Sequence, residues 1–262
     1  MPSDPFLLLN TGTWGQAVRR TLASWWHMIR FGAVVLAIVL SPSTYNKAHR
    51  ANTARHIYTS TWEVLPWFTA MSALFSLVLI RVVVVTAISY GLSQYALQMV
   101  VRVLVLELIP LSAALFVALR AGMAFNAGAV SPNTSPTPPM SLERLRTELV
   151  PQVLASAFAV LTLAMVSSLI ALVLAYVMVY GLSPWGLPGY TRTVGQVFDL
   201  SVTLGFALKT FFFSLAVAVV PMAASLEVAA RRLPMSNLQP GAVRLFVVLF
   251  CIEAGSLAIK YI

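Results

Sequence analysis

Charge is what this chain has least of. Only 10% of its 262 residues are Asp, Glu, Lys or Arg, where a soluble globular domain carries about 25%. A chain so poor in charge, with 59% hydrophobic residues and a mean hydropathy of +0.86, belongs to the membrane class before any motif is read. The single cysteine, Cys251, lies in an apolar run, which excludes a disulfide framework and a cysteine metal site. The three histidines, His27, His49 and His56, match no common metal spacing. HExxH, GxSxG and Walker-type phosphate loops are missing too, so no familiar enzyme signature, metal or cofactor is expected. The net charge of +9 reads as basic loops at a membrane surface and not as a nucleic-acid footprint.

What the chain does have is long apolar stretches. A helix needs ~20 such residues to cross the hydrocarbon core. Five stretches reach or approach that length: 64–90, 96–119, 153–181, 197–221 and 242–260. Turn chemistry separates them. GLSQ at 91–94 reads as a tight hairpin, and GLSPWGLPGY at 181–190 as a proline- and glycine-rich loop with interfacial aromatics. SPNTSPTPP at 131–139 has four prolines in nine residues and cannot be helix interior. The segment TLASWWHMIRFGAVVLAIVL at 21–40 is long enough to span. However, Trp25, Trp26, His27 and Arg30 interrupt it, which favours a helix lying in the interface over a sixth span.

The expected fold is therefore all-α and polytopic, with an N-terminal interfacial helix and five transmembrane helices. Residues 1–61 form the N-terminal amphipathic and cytoplasmic segment. Residues 62–262 form the membrane domain, with a cytoplasmic loop at 123–150. Twelve Lys and Arg lie in residues 1–62 and in loops 120–152 and 222–244, against Arg192 and Lys260 on the other side. That asymmetry places the N-terminus in the cytoplasm and the C-terminus outside. No secretory signal peptide is expected, because the apolar stretch starts too far in and lacks a cleavage site.

Charges inside spans are costly, at ~3 kcal/mol or several times more at mid-bilayer, and so mark functional or structural necessity. Away from the ends of the spans there are five good cases: Arg81, Arg102, Glu107, Lys209 and Glu253. Counted along the helices from the expected outer ends at ~1.5 Å per residue, all fall between mid-membrane and the outer surface. Structural pairing is one reading, with Arg81 meeting Glu107 across the first hairpin and Lys209 meeting Glu253. The other is a shared polar cavity. Three cations against two anions would leave a positive surplus suited to a lipid phosphate, which arginine holds with two hydrogen bonds. Pro110 frees the Leu106 carbonyl one turn back and loosens the helix beside Glu107.

The order of these features resembles the MlaE family of permeases, YrbE-like in the mce systems. LELIPLSAALFVALRAG, with Glu107, Leu108, Pro110, Arg120 and Gly122, is similar to the family's RELGPVLTALLVAGRVG. RHIYTSTWEVLP (Arg55, Tyr58, Leu65, Pro66), LVPQVLA (Pro151) and LKTFFFSLAVAVV (Lys209) match further family segments in the same order. Glu253 stands near a family aspartate. The resemblance covers about residues 50–260. It implies a permease subunit of an ABC-type lipid transporter in the bacterial inner membrane, linking inner and outer membranes. In such a system the subunit is not an enzyme, and ATP is hydrolysed by a separate cytoplasmic ATPase. The expected partners are that ATPase, an MCE-domain protein and phospholipid. The expected assembly is a homodimer, or a pseudo-dimer with a second permease, enclosing an outward-open lipid cavity. Arg81, Arg102, Glu107, Lys209 and Glu253 become candidate lipid-binding residues.

Two departures stand out. Leu106 replaces the family's arginine before the glutamate, with Arg102 nearby. NAGAVSPNTSPTPPMSLERLRTEL replaces the stretch that forms the ATPase-coupling helix. A short helix at 141–149, capped by Ser141 with Arg144 at N3, offers Leu142, Arg144, Leu145 and Arg146 as the ATPase contact. Three possibilities stay open: an unusual ATPase, pairing with a more typical permease, or loss of ATP drive. The alternative function is a non-transporting membrane scaffold that anchors an MCE assembly.

Overall fold

The apolar stretches become helices because nothing within them offers the backbone another partner, and in lipid every N–H and C=O must be satisfied internally. The structure is a computed structural model and describes residues 61–129, 150–231 and 240–261, with isolated positions between 25 and 58. No strand occurs among the described residues.

Helix α1 (Leu65–Ser89) starts with a proline in its first turn, where a missing N–H costs nothing. It ends at Gly91, whose φ of +70° is left-handed and open to glycine at no steric cost. A 3-10 turn (Ser93–Tyr95) and α2 (Ala96–Val100) lead into a π-helical segment (Val101–Leu108) and then α3 (Ile109–Ala129). Helix α4 (Val150–Tyr180) ends at Gly181, again at φ +70°. A 3-10 turn (Pro184–Gly186), α5 (Leu187–Val197), α6 (Leu200–Arg231) and α7 (Pro240–Tyr261) complete the chain.

Among the described residues, five helical stretches are long and apolar enough to cross a membrane: Leu65–Ser89, Ser93–Ala121, Pro151–Tyr180, Leu200–Ala224 and Gly241–Ile259. They agree with the five expected spans. Two details differ. Residues 187–197, expected in part as loop, form α5, because Pro184 and Pro188 fall in the first turns of the two short helices, where proline starts helices instead of breaking them. Its apolar side, with Tyr190, Val194 and Val197, packs on the bundle. Helix also continues through Ala129, into the expected cytoplasmic loop at 123–150.

The second span is central. In its most apolar window 56% of residues are buried, against 17% for α1 and 11% for α7. It touches α1, α4, α6 and α7. The interior divides into two apolar cores. One, toward the Gly91 and Gly181 turns, joins Ile80, Leu97, Val101, Leu104, Ile109, Ala171 and Val197. The other, toward the opposite end, joins Phe68, Ala113, Val117, Leu163, Phe213, Val217 and Leu249. At that end α6 and α7 meet closely, since a Cβ added at Gly241 would lie 2.7 Å from the Ala224 Cβ.

The expected interfacial helix falls largely outside the described residues. Trp25 packs against the second core, and a Cβ on Gly32 would sit 3.0 Å from Val219 Cγ1, so this part of the chain touches that half of α6. Residues 130–149, which hold the four-proline run and Leu142, Arg144, Leu145 and Arg146, also lie outside the described residues.

A buried ion cluster between the two cores as the candidate functional site

Two apolar cores stacked end to end leave a junction, and the chain places its intramembrane acids and base there. Pro110 cannot donate a backbone hydrogen bond, so the carbonyl one turn back, at Leu106, is free for another donor. The preceding residues relax into the π-helical segment, where N–H groups reach carbonyls five residues back; the Ile109 N–H pairs with the Leu104 carbonyl.

The donor that finds Leu106 is Lys209, on α6. Its Nζ lies 3.4 Å from the Leu106 carbonyl oxygen. The same ammonium donates to Glu107 Oε2 and lies 2.7 Å from Glu253 Oε2 on α7. It also stands 5.7 Å from the centre of the Phe213 ring, within reach of a cation–π attraction. Three helices thus converge on one cation. The Lys209 side chain is 2% exposed, whereas Glu107 and Glu253 keep 16% and 15%. A buried ammonium needs partners on every N–H, and a buried carboxylate needs a cation. The cluster gives both carboxylates a cation and ties the second, fourth and fifth spans together.

This geometry confirms one expected pair and replaces the other. Lys209 meets Glu253 as expected. Glu107 meets Lys209 and not Arg81, because the π-helical segment and α3 set Glu107 against α6 while Arg81 sits on an exposed position of α1. Arg102 is exposed as well. Among the described residues, neither arginine forms an ion pair. The expected pool of three cations against two anions is therefore split. Two carboxylates share one lysine in the interior, and two arginines stand on the surface of the spans.

Arg102 lies in the same π-helical segment, five residues before Glu107 on the side nearer the Gly91 turn, and is exposed. Pro110 was the one sequence signal for this distortion; composition alone gave none.

At the other end of the second span, Arg120 lies 3.4 Å from Glu63, just before α1, with 36% and 70% of these side chains exposed. Such exposed pairs contribute ~0–1 kcal/mol. No group of three His, Cys, Asp or Glu residues that could hold a metal occurs among the described residues.

No curated protein and no solved structure matches the chain. The model of one protein family, described as Permease MlaE, matches residues 53–255, a stretch that contains the first four spans, most of the fifth and the whole ion cluster. A chain matched over that length, with five helices apolar enough to span among its described residues, is a multi-pass membrane transport subunit and belongs to the MlaE permease family.

Proposed function

We propose that this chain is the membrane-embedded subunit of an ABC-type phospholipid transport system of the bacterial inner membrane, with its N-terminus in the cytoplasm. Two permeases, either identical or one of each of two kinds, enclose a lipid cavity open toward the outer side. A cytoplasmic ATPase drives them, and an MCE-domain protein receives or delivers the lipid. The observation that carries this reading is the ion cluster at the junction of the two cores, in a chain of the MlaE permease family. Ionisable residues inside membranes are rare, face the bundle interior or a water-filled cavity, and mark substrate and ion pathways.

The exposed Arg81 and Arg102 supply what a lipid phosphate needs. A guanidinium binds a phosphate with paired hydrogen bonds, and the apolar sides of the spans accept acyl chains. Glu107 and Glu253 occupy Lys209, so the strongest phosphate contacts fall to the arginines. The residues proposed to contact ATPase are Leu142, Arg144, Leu145 and Arg146.

The test is co-purification from the native membrane, with bound phospholipid quantified. The proposal expects an ATPase and phospholipid with the wild-type chain. It also expects less phospholipid on Arg81→Ala and Arg102→Ala chains that remain folded, and loss of the ATPase when Arg144 and Arg146 are both reversed to glutamate. Recovery of an MCE protein with neither ATPase nor lipid would replace the transporter with a membrane scaffold.

A further inference from the structure

The cluster at the junction of the cores is one cation short. Glu107 accepts from the Lys209 ammonium, and Glu253 Oε2 lies 2.7 Å from the same Nζ. Two carboxylates thus share a single ammonium whose side chain is 2% exposed. With both acids ionised, one negative charge would be left over in the membrane interior, where an uncompensated charge is expensive.

The elements packed around the cluster supply no second cation. α4 has no charged residue; its titratable groups are Tyr176 and Tyr180, next to the Gly181 turn. Arg81 on α1, Arg102 on the π-helical segment and Arg192 on α5 are exposed. Tyr190 of α5 donates its hydroxyl to the Leu172 carbonyl. Arg120 meets Glu63 at the far end of the second span. Glu227 and Arg231 stand near the far end of α6. On α7, Arg244 lies nine residues before Glu253, and Cys251 is exposed.

The surroundings of Glu253 identify what the cluster takes instead. Its Oε2 is buried and close to the ammonium, yet it accepts no hydrogen bond, so this oxygen still needs a donor. The Glu107 carboxyl lies within hydrogen-bonding reach of it. Ionised carboxylates only accept. Two of them can hydrogen-bond to each other only when one carries a proton, and two carboxylates sharing one site do not readily ionise together.

We propose that Glu107, Lys209 and Glu253 form a proton-binding site, in which one proton bridges the two carboxyl groups beside the lysine. The bound proton makes the buried group neutral and gives Glu253 Oε2 its donor. Uptake forms one O–H bond, with the proton drawn from water, and needs no other reactant. Glu107 and Glu253 keep 16% and 15% of their side chains exposed, so the proton enters and leaves at the carboxyl edge while the ammonium stays sealed. The site does not depend on the function proposed above.

The test is infrared spectroscopy of the full chain in dodecyl maltoside, a detergent with no carbonyl of its own. Glutamate carrying ¹³C in its side-chain carboxyl identifies the glutamate bands. At pH 7 the wild type is expected to show a protonated-carboxyl C=O stretch that shifts with the label. Glu107→Gln and Glu253→Gln should each abolish that band, because each leaves one carboxylate facing one ammonium with no charge in excess. A wild type without the band at pH 7 would overturn the site. Loss of the band in only one variant would overturn the bridge, since the proton would then belong to a single carboxyl. If a glutamine variant gives no folded chain, the aspartate variant at that position is read instead. Aspartate, outside the label, then takes part of the shared proton and weakens the labelled band, whereas full intensity in both aspartate variants would overturn the proposal. The readout involves neither lipid nor ATPase, so its failure and failure of the transport reading are separate results.

Discussion

The first hairpin, α1 with α2–α3, and the second, α4 with α5–α6, close on the same four residues and then diverge. In the first, the chain runs directly from turn to span and absorbs its irregularity as a π-helical segment ahead of Pro110. In the second, two prolines beside the turn start an additional short helix, and the span follows without a π-helical segment. One arm delivers a carboxylate and an unoccupied carbonyl to the junction of the cores; the other delivers the ammonium that uses both. A turn specifies that a hairpin forms, and the arm beyond it specifies what the hairpin carries.

The comparison can be broken most forcefully at its base. Lys209→Met leaves Glu107 and Glu253 facing each other in the interior. Removing one partner of a buried ion pair costs ~3–5 kcal/mol, so the expected outcome is loss of most folded, monodisperse protein in detergent. Glu107→Gln is milder, because the amide oxygen still accepts from Lys209 and Glu253 remains. The expected loss is ~1–2 kcal/mol, seen as a lower thermal midpoint with the fold intact. Equal loss in the two variants would mean that Glu253 does not support the ammonium.

Gly91→Ala and Gly181→Ala sharpen the comparison at the turns. Nothing lies within 4 Å of a Cβ added at either glycine, so the backbone at φ +70° is the only obstacle. Each is expected to cost ~1–2 kcal/mol, and by the same amount, as measured by thermal unfolding of the two variants side by side. A clear difference would show that the turns are alike in sequence but not in mechanics. The smallest effect belongs to the graft Gln94→Pro with Tyr95→Trp, which gives the first turn the residues of the second. Both positions are exposed, and a change within ~0.5 kcal/mol is expected.

The spans were legible in the sequence because a bilayer demands long uninterrupted apolar helices, and Gly91 and Gly181 mark where two of them stop. The buried charges were equally visible, and Pro110 pointed to the vacant Leu106 carbonyl. Who pairs with whom was only half readable. Glu253 and Lys209 lie on consecutive spans, but Glu107 reaches Lys209 from 102 residues away. Proximity along the chain favoured Arg81, whereas helix rotation through the π-helical segment decided for Lys209. α5 was read in part as loop because proline and glycine carry opposite meanings at the start and in the middle of a helix.

The most direct measurement of the central claim is the recovery of folded chain in the charge exchange. Glu107→Lys alone and Lys209→Glu alone each place like charges together in the interior and are expected to lose nearly all monodisperse protein. The double exchange keeps one base between the positions of Glu107, Lys209 and Glu253, and should recover a yield and a thermal midpoint close to those of the wild type. A double variant no better than either single one would contradict the account, because Glu107 and Lys209 would then not be partners.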